Sequence, residues 1–186
     1  MAPLGEPDET LMTRTAEGDH ACLELLVRRH ATPLLTFLVR MAGDRHRAEE
    51  LFQEVFLTVW VKRRLYQHPR PFKPWLYAIA LNKCRAAFRL RPLRMAPLAD
   101  DGLASDDASP ADAMMASETA DVVGRAVARL PEQQRAVVTL RVWESLSYVR
   151  IAEIIECSET TVRSHMHHGL AALRKHLEHQ RAHLEH

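Results

Sequence analysis

Long apolar runs, glycine, cysteine and aromatic side chains are all scarce in this chain, and so is any excess of charge. No apolar run approaches the roughly 20 residues that a membrane-spanning helix needs. MAPLGEPDET lacks a basic segment followed by an apolar one, so neither a span nor a secretory signal is expected. The three cysteines, Cys22, Cys84 and Cys157, are widely separated. Their odd number excludes a full disulfide framework, their spacing excludes a compact metal site, and both fit a reducing cytosol. Six glycines, 6% aromatics and few β-branched clusters disfavour sheet and point to helices. The 25 basic side chains are almost balanced by 24 acidic ones, so any nucleic-acid surface must arise from local segregation of charge. No glycine-rich phosphate loop and no nucleophile elbow is present. Cys84 sits between Lys83 and Arg85, which could lower its pKa, but a buried helical cysteine explains it better.

What is present is helical periodicity in two blocks. Residues 1–17 read as a loosely held polar lead-in. Asp19 is placed to cap a helix carrying Cys22, Leu23, Leu25, Leu26 and Val27. Thr32-Pro33 reads as N-cap and first residue of a further helix with Leu34, Leu35, Phe37, Leu38 and Met41, ending at Gly43. The best-patterned helix of this block is Ala48–Trp60, where Leu51, Phe52, Val55, Phe56, Val59 and Trp60 make one apolar face. Glu49, Glu50, Gln53 and Glu54 lie off that face, as a solvated acidic surface or as a docking one. A basic, proline-bearing connection (Lys62, Arg63, Arg64, His68, Arg70) leads to FKPWLYAIALNKCRAAFRLRPLR. There Trp75, Leu76, Ile79 and Ala80 form a buried stripe, while Lys73, Asn82, Lys83, Arg85, Arg89, Arg91 and Arg94 form a polar, mainly basic one. Interleaved aromatic and cationic groups can stack and neutralise single-stranded nucleic acid, although Trp75, Tyr77 and Phe88 also read as simple core, Trp75 above all. Residues 96–117, rich in Ala, Pro, Ser and Asp, read as a flexible acidic linker.

The second block begins near Glu118 with Val122, Val123, Ala126, Val127 and Leu130, and Pro131 opens a helix holding Val137, Val138, Leu140 and Val142. From Tyr148 to Gly169 the pattern is of two short helices joined by a polar break at Glu156, Cys157 and Ser158. Ile151, Ala152, Ile154 and Ile155 form the apolar side of the first, and Ala152 is small where a second helix would cross. Ser158 is the expected N-cap of the second, whose buried stripe is Val162, Met166, Leu170 and Leu173. Opposite lie Ser158, Thr160, Thr161, Arg163, Ser164, His165, His167 and His168, donors and cations of the kind a major-groove helix presents. The spacing alone is shared by plain helix pairs.

The two blocks together resemble the sigma-70 family of RNA polymerase sigma factors, in particular the extracytoplasmic-function group. The C-terminal resemblance rests on Leu130-Pro131, Gln134-Arg135, Leu140, Ser147-Tyr148, Ile151-Ala152, Ser158, Thr161-Val162-Arg163-Ser164 and Leu173-Arg174. The N-terminal one rests on Ala48–Trp60 with Pro71-Phe72, Trp75-Leu76-Tyr77, Ile79-Ala80 and Asn82. The resemblance implies an all-α fold of two small helical domains joined by the acidic linker. Region 2 would span residues 18–95, the linker 96–117 and region 4 residues 118–179, with a tail at 180–186. It implies a cytoplasmic initiation factor with no cofactor, no chemistry and no membrane insertion of its own. Its partners would be core RNA polymerase, through the β′ clamp helices and the β flap, promoter DNA, and an anti-sigma protein. Glu49, Glu50, Gln53 and Glu54 would meet the polymerase. Lys73, Trp75, Tyr77, Asn82, Lys83, Arg85 and Arg89 would melt and read the −10 element, and the Ser158–His168 set the −35 element. The linker would thread the polymerase's active-site channel, its negative charge standing in for RNA. A helix-turn-helix regulator that ignores polymerase explains the C-terminal block but leaves the N-terminal one without a role.

Departures from the family pattern are Arg47, Leu146, Arg150, Thr160 and the histidines at 165, 167 and 168. The tail carries His176, His179, His183 and His186 at helical spacing, a weak metal-ligand pattern whose ending, Leu184-Glu185-His186, also resembles a vector-derived affinity tag. An unperturbed imidazole changes charge near neutrality. Affinity for a −35 duplex is therefore predicted to vary between about pH 6 and 8, where free imidazole changes charge. Binding titrations across that range check it, and a flat profile contradicts it.

Overall fold

A computed structural model describes residues 5–89 and 122–184, with side chains to residue 178. Among these residues every regular element is helical. α1 is Asp8–Ala16, α2 His20–Ala42, α3 Arg45–Val61 and α4 Phe72–Arg89, with a single 3₁₀ turn at Arg63–Leu65. Residues 122–128 form α5, followed by α6 (Glu132–Val142), α7 (Tyr148–Ile155) and α8 (Glu159–Leu184).

The expected lead-in is in fact partly a docked helix. Leu11 and Met12 of α1 are wholly buried, and Thr15 closes on the Leu11 carbonyl, so a stripe too short to stand out in sequence becomes core. Asp8 fastens α1 to α2: its carboxylate lies 2.6 Å from Nε2 of His30 and accepts from Arg29 at 2.8 Å. The His30 hydrogen bond, with help from Arg29, outweighs burial and holds the Asp8 pKa below its ordinary value. Glu9 accepts from the Phe72 amide at 3.0 Å, which ties α1 to the start of α4 as well.

Asp19 caps α2 as expected, accepting from the amides of Ala21 and Cys22, and Gly43 ends the helix in the left-handed region at φ 69°. The expected break at Thr32-Pro33 does not occur, and Pro33 lies inside one continuous α2. The missing amide and ring clash of an interior proline cost about 3 kcal/mol. Cys22, Leu26, His30, Leu34, Phe37, Leu38 and Met41 form one buried stripe through that position, and its burial exceeds the penalty. Asp44 caps α3 through the Arg47 amide at 2.6 Å, and Leu51, Val55, Phe56 and Val59 turn inward.

In the C-terminal unit, α6 and α8 cross at Gly169. A Cβ there would stand 2.8 Å from Cγ2 of Val138. The inward row of α8 is thus Val162, Met166, Gly169 and Leu173, and the expected Leu170 is displaced outward, 46% exposed. Val142, also expected inside, is half exposed. Glu156 ends α7 in the left-handed region and Ser158 caps α8, its hydroxyl accepting from the Thr161 amide at 3.1 Å.

The two units are not separate bodies. α7 packs on α4, and α6 packs on α2. Ile151, Ile154 and Ile155 join the same apolar cluster as Leu76, Leu81 and Phe37. Gly169→Ala is expected to destabilise the chain by about 1–2 kcal/mol, since overpacking against a stiff valine outweighs the gain in helix propensity. Denaturant unfolding measures this, and an unchanged midpoint rules out the close crossing.

Candidate nucleic-acid interface

The helix-turn-helix face is built by the Ser158 cap, which starts α8 with one side of its first two turns exposed and Val162 buried on the other. Ser158, Thr160, Arg163, Ser164, His167 and His168 are exposed, and Thr161 and His165 are half-buried. Thr161 Oγ1 lies 2.8 Å from the Ser158 hydroxyl, so it serves the cap as well as the surface. Arg163 is held in place before any ligand arrives. Its guanidinium pairs with Glu159 and lies 4.6 Å from the centre of the Tyr148 ring. Arg141 lies 4.8 Å from the same ring, so Tyr148 has two guanidinium neighbours. His167 meets His168 edge-on at 5.6 Å. Arg141 was not singled out in the sequence and Tyr148 only as part of the Ser147-Tyr148 match, since nothing local signals a ring flanked by two arginines.

On the N-terminal unit, α4 presents Asn82 and Arg89 to solvent, with Lys73, Lys83 and Arg85 half-buried. Asn82, Arg85, Phe88 and Arg89 form one wall of a cleft whose other wall is Glu132 and Gln133 of α6. The aromatic candidates Trp75 and Tyr77 lie in the core of the unit. Trp75 packs against Tyr66 at 5.3 Å and Phe72 at 6.1 Å, and Tyr77 is fully buried edge-on to Phe37 at 5.0 Å. Neither ring has a face open for a base in this conformation. Arg91 and Arg94, like the acidic linker, lie outside the described residues.

Glu49, Glu50, Gln53 and Glu54 are all exposed on α3. Arg45 reaches Glu49 at 3.1 Å, Arg47 pairs with Glu50, and Lys83 of α4 reaches Glu54 at 3.2 Å. Such exposed pairs stabilise little, which leaves the carboxylates open to exchange partners. The sequence reading missed Leu57 and Val61, which continue the Glu49–Gln53 row at four-residue steps and are 63% and 68% exposed. The signal was available: both are apolar residues off the buried face of a well-patterned helix.

With this geometry in place, the chain's relatives can be identified. The Sigma-70 region 2 family model matches residues 26–91 and the Sigma-70, region 4 model residues 120–173. The RNA polymerase sigma-H factor of Pseudomonas aeruginosa is 31% identical over 183 residues, covering 93% of this chain and 95% of that protein. The chain belongs to the sigma-70 family of RNA polymerase sigma factors, in the extracytoplasmic-function group. The ECF RNA polymerase sigma factor SigE of Mycolicibacterium smegmatis is 34% identical over 181 residues, covering 94% of this chain and 70% of that one. The sigma factor RpoE of Bartonella quintana, solved with the anti-sigma factor NepR, shares the fold at TM-score 0.70 and 19% identity, covering 83% of this chain and 96% of that one. This sigma factor has, among its described residues, no helix long and apolar enough to cross a membrane. No cluster of three or more metal-ligating side chains occurs among them either, and the side chains of His179 and His183 lie outside the described set.

The alternative that Cys84 is an activated thiol is not supported by its surroundings. It is wholly buried, and burial, reinforced by Glu132, pushes its pKa up to about 12 despite the neighbouring arginines. A thiol-reactive dye at about pH 8, near the ordinary thiol pKa, is therefore expected to modify the native sigma factor at half-buried Cys157 first, leaving Cys22 and Cys84 intact until unfolding. Early labelling of Cys84, seen by peptide mass, contradicts this.

Proposed function

We propose that this sigma factor docks on core RNA polymerase through the exposed row of α3 and directs it to two-part promoters. Glu49, Glu50, Gln53 and Glu54 supply the polar part of that docking face, and Leu57 and Val61 its apolar part. Residues 18–95 act as region 2, residues 96–117 as the linker and residues 118–179 as region 4. Lys73, Asn82, Lys83, Arg85 and Arg89 engage the −10 strand. Ser158, Thr160, Thr161, Arg163, Ser164, His165, His167 and His168 meet the −35 duplex. The factor adds no bond chemistry of its own, works in the cytoplasm, and is held in check by an anti-sigma protein that covers its polymerase-binding surfaces.

The observation that carries this reading is the exposed helix face of α3, with large apolar residues where a solvated helix would place polar ones. A duplex-binding regulator has no use for it. The −35 assignment is supported by the pre-set Arg163, because a cation already ordered on Tyr148 loses little freedom on binding a guanine edge or a phosphate.

Run-off transcription with bacterial core polymerase, on promoters selected from a random −35/−10 library, tests it. Initiation is expected only with the protein present. Arg163→Ala is expected to weaken −35-dependent initiation by about 1–3 kcal/mol, the usual worth of one good base-edge contact. Asn82→Ala is expected to impair opening while sparing −35 binding. Tight binding to one duplex site without any response of core polymerase would replace this reading with the regulator.

A further inference from the structure

One carboxylate stands among the groups assigned to the −35 duplex, and that assignment leaves it without a role. Glu159 follows the Ser158 cap as the first residue of α8 and is the only acidic residue in the helix's first two turns. Its side chain is 39% exposed, and it shares a row with exposed Arg163 and His167 at four-residue steps. Arg163 donates to it twice, from Nε at 3.1 Å and from Nη2, and both bonds end on Oε1. Among the described residues nothing else bonds to the outer edge of the guanidinium or to Oε2. Tyr148 of α7 backs the guanidinium, its ring centre 4.6 Å away. An exposed pair one helical turn apart stabilises little, so the fold does not demand a carboxylate here.

A negative charge in this place is repelled by phosphate, and no group of the DNA backbone can donate a hydrogen bond to it. Only base edges can compensate it. In the major groove the donors are the exocyclic amines, N4 of cytosine and N6 of adenine. The pair as a whole narrows that choice. The outer edge of Arg163 is a double donor, the form that meets guanine O6 and N7, and the carboxylate beside it is an acceptor. Two acceptors followed by a donor is the major-groove pattern of a G·C pair seen from its guanine. An A·T pair sets thymine O4 where Glu159 needs a donor, and a reversed pair sets the cytosine amine against the guanidinium. We infer that Arg163 and Glu159 read one G·C pair of the −35 element as a unit, Arg163 on the guanine and Glu159 on the amine of its cytosine. Glu159 is then a specificity-determining residue. The inference rests on the −35 assignment made above. Glu159 lowers affinity for every site that lacks this pair, so selectivity arises from repulsion as well as attraction. Tyr148 steadies the cation on which the carboxylate is hung.

Holoenzyme formed from bacterial core polymerase and the full chain is offered promoters with a randomised −35 element, and the retained promoters are sequenced. The wild type is expected to enrich G·C, in one orientation, at one position. Glu159→Ala is expected to reduce that enrichment roughly tenfold, the usual effect of one mismatched pair, and to leave the other positions as they were. Arg163→Ala is expected to lose the preference at the same position, with the double variant no less selective than Arg163→Ala alone. Affinities are then measured for the preferred promoter and for the same promoter with A·T at that position. Glu159→Ala is expected to bind the A·T promoter more tightly than the wild type does. A carboxylate that merely steadied Arg163 would weaken the preferred promoter and leave the A·T one unmoved, and that result overturns the inference. Glu159→Gln removes the charge at constant size, so poor folding of the alanine variant leaves the comparison intact. Unchanged preference in both Glu159 variants overturns the inference, and so do Glu159 and Arg163 effects at different positions. A wild type without any −35 preference overturns the −35 assignment itself, a result distinct from failure of the variants.

Discussion

The structure depends on α2 staying whole. Its 23 residues, about 35 Å at the usual rise per residue, make one buried stripe that meets α1, α3, α4 and α6. A break at Pro33 would divide that stripe between two axes. Leu34, Phe37, Leu38 and Met41 could then no longer face the same core as Cys22, Leu26 and His30. The Met41 carbonyl at its far end, which Arg135 reaches across the seam, exists in that position only because the helix runs on. Local preference at proline opposes this helix, and tertiary burial decides it.

Charge in this sigma factor is arranged by position, because net charge is nearly zero. The carboxylates of α3 (Glu49, Glu50 and Glu54) share its exposed surface with Arg45 and Arg47, and cations dominate the latter part of α4. The few charges that leave water do so with partners: Asp8 with His30 and Arg29, Glu144 with Lys73, and Arg135 with the Met41 and Leu130 carbonyls. Burial lowers the Arg40 and Arg135 pKa values, yet an arginine begins so high that both stay charged at any physiological pH. The seam between the units is therefore electrostatic where it meets solvent and apolar where α7 lies on α4.

Much of this was legible in the sequence. Asp19, Ser158, Gly43 and the α3 stripe are local signals, since a cap or a helical period is set by residues within one or two turns. The exposure of the residues proposed for the −35 element followed for the same reason. Illegible features depend on distant chain. α1 becomes core only because α2, α4 and the 3₁₀ turn surround it. Trp75 and Tyr77 look alike in sequence whether they stack on bases or on Tyr66 and Phe37. Leu170 and Gly169 exchanged roles because Val138, more than thirty positions earlier, demanded the smaller residue at the crossing. The placement of Glu144 beneath Lys73 is of the same kind: a turn can be read from sequence, but not what it is pressed against.

The crossing at Gly169 also has a mechanical meaning. A glycine there lets the axes of α6 and α8 approach toward the short end of the usual 8–10 Å spacing, and contact that close leaves little room for sliding or rolling. α8 is in effect a beam pinned near its middle by α6, with its first ten residues braced by α7, where Val162 is wholly buried and Arg163 lies over the Tyr148 ring. That stretch is about 15 Å long at the helical rise, so the tilt set at the crossing is carried to the Ser158 end. The pitch at which that end meets a groove is thus set by α6 together with α7, and α6 has no residue assigned to the −35 element.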